Sequence, residues 1–281
     1  MMGFLRVVEI FPPLFPSSRR KESHINLERG IERFVDQARS VSRFADILLL
    51  ADVKNPNLLK LSTIEAAAIL MERACLNAAP VIVVRDLNRR RFLSAVLTVL
   101  SIELRHLMIA WGDDYPARSG ATNVRDYESL AQCIEEAALL RTRSAASTKF
   151  LAPVNVELLS SKGELARARG RIRAGAEYLL AQPPTTDSTV LKRHSRLLRD
   201  SGLEERVILN VFPFRGPKDV QECEKYFGWR LPASLHRIAE NGEEELLRAE
   251  KEVIEGLRSG GAPGVYFNTR GIPGIAERLL A

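Results

Sequence analysis

No stretch of this chain approaches the roughly 18 consecutive apolar residues that a membrane-spanning helix requires, so a membrane-embedded fold is not expected. Cysteine is scarce. Cys75, Cys133 and Cys223 are far apart and odd in number, which argues against a disulfide framework and against thiolate metal spacing. All three fall in helical patterns and are expected to be reduced core thiols. The histidines His24, His106, His194 and His236 share no ligand spacing either, and packing or surface roles are expected for them. Aromatics make up only 6% of residues and are hardly interleaved with the basic clusters Arg19-Arg20-Lys21 and Arg89-Arg90-Arg91. A nucleic-acid face is therefore not expected, in spite of a net charge of +6. Solvated helix faces, with some contacts to anionic ligands, account for that charge. The sequence also lacks a Walker A motif, a Gly-rich turn after its first strand and a nucleophile elbow. No Pro/Gly/Ser-rich linker divides it, and no leader peptide is expected before its first strand. One cytoplasmic domain over residues 1–281 is expected.

What the sequence does contain is a repeated event. A short apolar, β-branched run stops, and a polar residue follows at its C-terminal edge. Eight such runs occur, at 6–10, 46–50, 80–84, 107–111, 149–154, 177–181, 207–211 and 264–267. They lack alternation, as strands buried on both faces do. Between them lie segments with helical spacing at 25–40, 62–76, 88–103, 126–143, 162–174 and 187–201, then near 217–227, from Pro232, and at 243–259. Strand–helix alternation implies parallel βαβ units with right-handed crossovers, and eight units make a closed (β/α)₈ TIM barrel. The competing open sheet would need a Gly-rich first turn, whereas Phe11-Pro12-Pro13 follows the first strand here.

Chemistry in such a barrel gathers at the C-terminal strand ends. Those positions read Glu9, Asp52, Arg85-Asp86, Asp113-Asp114, Asn155, Gln182, Phe214 and Asn268. For Asp52, Asn155 and Asn268, ordinary loop polarity explains the residue as well as a ligand contact does.

The motifs Val8-Glu9-Ile10-Phe11-Pro12-Pro13, Val84-Arg85-Asp86-Leu87-Asn88-Arg89 and Gly112-Asp113 followed by Pro116 recur in known proteins. So do the run from Gly120 to Asp126, Gly175-Ala176-Glu177-Tyr178 with Gln182-Pro183, Arg230-Leu231-Pro232, and the run from Gly264 to Thr269. Together, in this order over nearly the whole chain, they resemble the methylenetetrahydrofolate reductase family. The resemblance is strongest to the branch that is elsewhere joined to a homocysteine methyltransferase domain. That family has the (β/α)₈ fold. It reduces 5,10-methylenetetrahydrofolate to 5-methyltetrahydrofolate in one-carbon metabolism, usually through bound FAD with NAD(P)H as electron donor.

The resemblance implies roles for particular residues. Glu9 would be the proton donor that opens the methylene bridge, and Asp113 an anion beside pterin and flavin. Gln182 would hydrogen-bond the pterin, and Tyr226 or Phe227 would stack on substrate or nicotinamide. Asp52, Arg85, Asp86, Asn88, Asn155 and Arg171 would lie on the cofactor side. Asp86 equally suits a helix N-cap, and a solvated helix face equally suits Arg171. The resemblance also implies a homo-oligomer or a separate methyltransferase or electron-transfer partner.

The sequence departs from the family at the third strand. Val81, Val83 and Val84 stand where His, Thr and Cys are usual, and Pro183-Pro184-Thr185-Thr186 replaces the common aromatics after Gln182. Valine supplies packing only. Two alternatives follow: a reductase that takes hydride directly from a nicotinamide without flavin, and a non-catalytic pterin-binding or partner subunit on the same barrel.

Overall fold

The computed structural model describes residues 3–16, 26–52, 58–112, 126–272 and 274–281. Eight parallel strands close into a barrel: β1 (Leu5–Ile10), β3 (Ile47–Leu50), β5 (Ala78–Val83), β6 (His106–Ala110), β7 (Lys149–Asn155), β8 (Ala176–Gln182), β9 (Val207–Val211) and β10 (Gly264–Asn268). Around the wall the order is β1-β10-β9-β8-β7-β6-β5-β3, so each strand lies beside its neighbour in the chain of βα units. The barrel closes between β1 and β10, where Leu5 pairs Gly264 and Glu9 pairs Asn268. Gly264 is required at that seam, because a Cβ there would sit 2.1 Å from the Leu5 carbonyl oxygen. The chain is thus a TIM barrel, and all eight strands fall where the apolar runs are.

Period-2 alternation divides each strand between two cores. Val7, Leu49, Val81, Met108, Leu151, Tyr178, Leu180, Ile208 and Tyr266 point into the barrel. Val8, Ile10, Leu48, Leu50, Ile82, Ile109, Leu179 and Leu209 point outward and pack beneath the helices. Each buried aliphatic side chain contributes about 1.5–3 kcal/mol, which is why two-sided burial outweighs weak local strand preference.

The helical layer comprises α1 (Leu27–Ser42), α2 (Thr63–Ala74), α3 (Arg89–Ser101), α4 (Leu130–Arg143), α5 (Lys162–Arg173), α6 (Ser188–Ser201), α7 (Pro217–Phe227), α8 (Ala233–Glu240), α9 (Glu243–Ser259) and α10 (Ile275–Leu280). α1 to α6 each start at a side chain that accepts from an amide of the first turn: Asn26, Ser62, Asn88, Ser129, Ser161 and Asp187. α7 and α8 form a separate small core over the end of β9, built on Phe212, Phe214, Val220, Cys223 and Leu235. Two further features escape sequence patterning: α10, and a ribbon of β2 (Leu14–Pro16) with β4 (Leu58–Lys60), whose three-residue strands are too short to show a period.

The cysteine expectation holds in two places of three. Cys133 and Cys223 are buried, and desolvation pushes their thiols up to about 12 and about 11. Cys75 is exposed instead, because it ends α2 in the left-handed conformation. His194 is wholly buried on α6, in a packing role. Among the described residues no helix is long and apolar enough to cross a membrane, and no group of His, Cys, Asp and Glu has the arrangement of a metal site.

Candidate functional site

Glu9 is the inward-facing residue one position before the end of β1, and it is 8% exposed. A carboxylate in that position needs donors, and β10 supplies two. Asn268 donates from Nδ2 to Glu9 Oε2 at 2.7 Å, and the Tyr266 hydroxyl donates to the same oxygen through a short hydrogen bond. Tyr266 and Asn268 are two residues apart on one strand, so both side chains face inward. The backbone carbonyl of Glu9 is held by Thr269, from its amide at 3.1 Å and its hydroxyl at 2.8 Å. Burial raises the Glu9 carboxyl to about 7, more than the Tyr266 and Asn268 hydrogen bonds lower it. Burial, followed by the nearby carboxylate, drives the Tyr266 hydroxyl well above its ordinary range, so it remains a donor. Both donors converge on Oε2. Oε1 has no partner among the described residues, and it is the oxygen left to exchange a proton.

Gln182 ends β8 and Asn210 lies on β9 beside it. Asn210 Nδ2 donates to Gln182 Oε1 at 3.3 Å. Asn210 is almost fully buried, and its Oδ1 has no hydrogen-bond partner. Tyr266 pairs Asn210 in the β10–β9 register. Glu9, Tyr266, Asn268, Asn210 and Gln182 therefore occupy four adjacent strands and form one polar arc at the C-terminal mouth. The sequence pattern singled out Glu9, Gln182 and Asn268. It missed Tyr266 and Asn210, although an Asn inside the run Val207-Ile208-Leu209-Asn210-Val211 is itself a departure from an apolar strand.

Asp113, the third residue of the expected constellation, lies outside the described residues, as does Asp114. Gly112 before it has φ +79°, and a Cβ there would meet Val83 Cγ1 at 2.4 Å. Arg85 is buried next to Gly112, and its amide donates to the Trp111 carbonyl at 3.1 Å.

The remaining expected ligand residues have structural partners. Asp52 forms an ion pair with Lys60 from β4. Arg85 and Asp86 lie in a separate 3₁₀ turn, Val84–Asp86, and do not open α3. The N-cap of α3 is Asn88, which accepts from the Arg91 amide at 2.9 Å, so the capping role considered for Asp86 belongs to Asn88. Asn155 caps the 3₁₀ turn that follows β7, accepting from the amides of Glu157 and Leu158. Arg171 reaches the Pro153 carbonyl at 2.8 Å and Glu164 at 3.0 Å, locking α5 to β7. Tyr226 and Phe227 end α7 and are 64% and 44% exposed. Phe227 stacks on Trp229 with centroids 4.2 Å apart, and Phe212 meets both edge-on. Arg270 secures this aromatic cluster to the barrel, lying over Phe212 at 4.9 Å and clamping Asp219 with both terminal nitrogens.

A second raised carboxyl sits behind the cluster. Glu250 on α9 is 2% exposed and accepts from the Phe214 amide at 3.0 Å, and desolvation lifts it to about 8. It fastens the end of β9 from outside the barrel.

The donor set can be tested against the groups that the family resemblance implies. One inner wall is polar, and the facing wall of Val81, Val83, Met108 and Ala110 is apolar. That suits a flat heterocycle with one hydrogen-bonding edge. The diphosphate of a resident FAD is a different matter. The N-termini of α1 to α6 are closed by their own side chains, and uncapped α7 puts Asp219 in its first turn. Lys60 and Arg270 are committed to carboxylates. Among the described residues, then, the mouth pairs a hydrogen-bonding wall with an apolar one, and the N-termini of α1 to α7 leave no free cradle for FAD's diphosphate.

No protein-family model matches this chain, and no curated protein matches it. Solved structures do. A 2,3-dimethylmalate lyase of the PEP mutase/isocitrate lyase superfamily is 15% identical, with a TM-score of 0.48 over 99% of this chain and 89% of that one. A putative phosphonomutase from Burkholderia cenocepacia J2315 is 14% identical, with a TM-score of 0.47 over 94% and 86%. A deoxyribose phosphate aldolase from Aeropyrum pernix is 13% identical, with a TM-score of 0.49 over 98% and 87%. At these identities the likeness concerns fold alone.

Proposed function

We propose that this barrel is a cytoplasmic reductase that converts the methylene group of a C1-carrying pterin, 5,10-methylenetetrahydrofolate or a related carrier, to a methyl group. The observation that carries the reading is the Glu9 carboxyl, held at the mouth with its pKa near 7 and with Oε1 open. Opening the methylene bridge so that the carbon stays on N5 requires a proton on N10, whose bond to the methylene breaks. A carboxyl that is half protonated at neutrality is matched to that transfer. The bridge then becomes an iminium cation, and ionised Glu9 lies where it offsets the new positive charge. A hydride reaches the methylene carbon, and the nitrogen keeps the proton. Gln182, with Oε1 engaged by Asn210, turns its amide N–H groups toward the acceptor edge of the pterin.

Direct hydride transfer from a reduced nicotinamide is favoured by the apolar β5 wall, where Val81 and Val83 offer packing alone. A cosubstrate that arrives and leaves needs no permanent diphosphate cradle, whereas resident FAD does. The test is NAD(P)H oxidation by the purified protein in the presence of methylenetetrahydrofolate, with the methyl product quantified and the visible spectrum recorded. Turnover by a colourless protein is the expected result, with a loss of about 10²–10⁴-fold in Glu9→Gln and an unchanged melting profile. Flavin bands in active protein return the FAD route. Pterin binding without turnover makes the chain a non-catalytic subunit. Full activity in Glu9→Gln removes Glu9 from the mechanism.

A further inference from the structure

The net charge of the chain is not spread evenly. α5 carries Lys162, Arg167, Arg169, Arg171 and Arg173 against Glu164 alone, a balance of +4. α6 carries Lys192, Arg193, Arg196 and Arg199 against Asp200 alone, a balance of +3. The two helices together hold +7 while the whole chain is +6, so everything else sums to −1. Some arginines of these helices are neutralised by carboxylates, Arg167 and Arg171 by Glu164 and Arg193 by Glu157. The other six basic residues, Lys162, Arg169, Arg173, Lys192, Arg196 and Arg199, are exposed and have no carboxylate partner among the described residues. Such a concentration of like charge opposes itself unless something acidic covers it.

A groove of about 590 Å³ opens within this basic face, at the N-terminal end of the barrel. Arg169, Arg173 and Arg206 line it, and Ala166, Ile172 and Leu203 supply apolar surface between them. Two of the guanidiniums are aimed by backbone carbonyls, Arg169 by Ser201 at 3.0 Å and Arg206 by Glu177 at 3.3 Å. Lys162, Ala166, Arg169 and Arg173 recur at helical spacing and form one stripe along α5.

We propose that this groove docks an acidic protein segment, an amphipathic one that places a small apolar side chain on Ala166 and Ile172 and carboxylates on Arg169, Arg173 and Arg206. Arginines around an apolar floor fit a protein surface, where Arg is enriched and carboxylates pair bidentately. Single-stranded nucleic acid would call for aromatic stacking platforms, and no aromatic lines the groove. The groove is at the end of the barrel opposite Glu9, so docking is independent of the reaction proposed at the mouth.

The probe is a helical peptide of Glu and Leu in amphipathic register, compared with poly-L-glutamate and a DNA duplex at about 0.1 M salt. The full chain is expected to bind the amphipathic peptide at least tenfold more tightly than poly-L-glutamate. Arg173→Glu with Arg206→Glu is expected to cut peptide binding at least tenfold. Ala166→Glu, at an exposed helical position that tolerates Glu, is expected to do the same. Arg90→Glu with Arg91→Glu on α3 is the charge-matched control and is expected to leave binding within twofold. Equal binding of all three polyanions, tighter binding of the duplex, or an equal loss in the control overturns the proposal.

Discussion

The two halves of the barrel lumen are built to different rules. From β8 through β9 and β10 to β1 the C-terminal layer is polar: Gln182, Asn210, Tyr266 with Asn268, and Glu9. From β3 through β5 to β6 the facing layer is apolar: Leu49, Val81, Val83, Met108 and Ala110. The lesson is that a buried carboxyl is not tolerated by the mouth as such. It is tolerated where an adjacent strand presents donors in register. Glu9 pairs Asn268 along the seam, and the alternation of β10 then turns Tyr266 to the same side. Among the described residues no inward-facing strand residue of the opposite wall is such a partner. The difference also gives the lumen a direction. A ring bound there would turn its hydrogen-bonding edge to the polar arc and its flat hydrocarbon parts to the valines.

The harshest way to break the comparison is to move the charge across. Val81→Glu puts a carboxyl into the apolar wall, where its described inward-facing neighbours Leu49, Val83, Met108 and Ala110 are all apolar. A buried unpaired charge costs several kcal/mol, about 3–5 by the measure of broken buried pairs. The folded-state pKa of the new group would be raised, so the damage grows as pH climbs above the ordinary carboxylate value and eases in acid. Urea denaturation at pH 5 and pH 8 is expected to show a deficit several-fold larger at pH 8. A loss below about 1 kcal/mol at both pH values would mean that the two walls are equivalent.

A milder test sharpens the polar side. Tyr266→Phe removes one of the two donors to Glu9 and leaves Asn268. The Glu9 pKa is already raised to about 7 in the folded protein, so the group binds more protons folded than unfolded between its ordinary value and about 7. Stability therefore falls as pH rises through that window and is flat above it. Without Tyr266 the carboxylate loses a stabilising hydrogen bond, the pKa rises further, and the decline is expected to continue beyond pH 7. The added loss at pH 8, relative to pH 4, is expected to be about 1–3 kcal/mol. Parallel stability curves for the two proteins would show that Tyr266 does not govern the charge of Glu9.

The barrel was legible in the sequence because strands buried on both faces have a signature that survives without alternation: short β-branched runs with polar ends. Its helices were legible through their apolar spacing, and the one cap read from the sequence, Asp86, gives way to Asn88, two residues on and of similar capping strength. The site was legible in half. Glu9, Gln182 and Asn268 showed as polar strand ends, and the family resemblance favoured the first two among the many such ends. Tyr266 did not show, because tyrosine is an ordinary strand residue and only the closure of β10 onto β1 makes it a partner of Glu9. Arg171 looked like a ligand residue and is a brace, because its partners Pro153 and Glu164 are 18 and 7 positions away and only the fold brings the first of them near.

The smallest expected effect concerns the aromatic pair beyond the polar arc. Tyr226 is 64% exposed at the end of α7 and meets Phe227 edge-on at 4.8 Å. An exposed helix-end side chain contributes little to folding, so Tyr226→Ala is expected to shift stability by no more than about 0.5 kcal/mol. If Tyr226 stacks on a ring bound against the polar arc, the loss appears in binding. An aromatic pair is worth about 0.5–1.5 kcal/mol, which corresponds to a rise of roughly 2- to 12-fold in KM for the pterin. The contact would be made equally in ground and transition states, so kcat is expected to stay constant. A KM unchanged within error would assign Tyr226 and Phe227 to the packing of α7 around Trp229 and would leave ring recognition to the lumen walls alone.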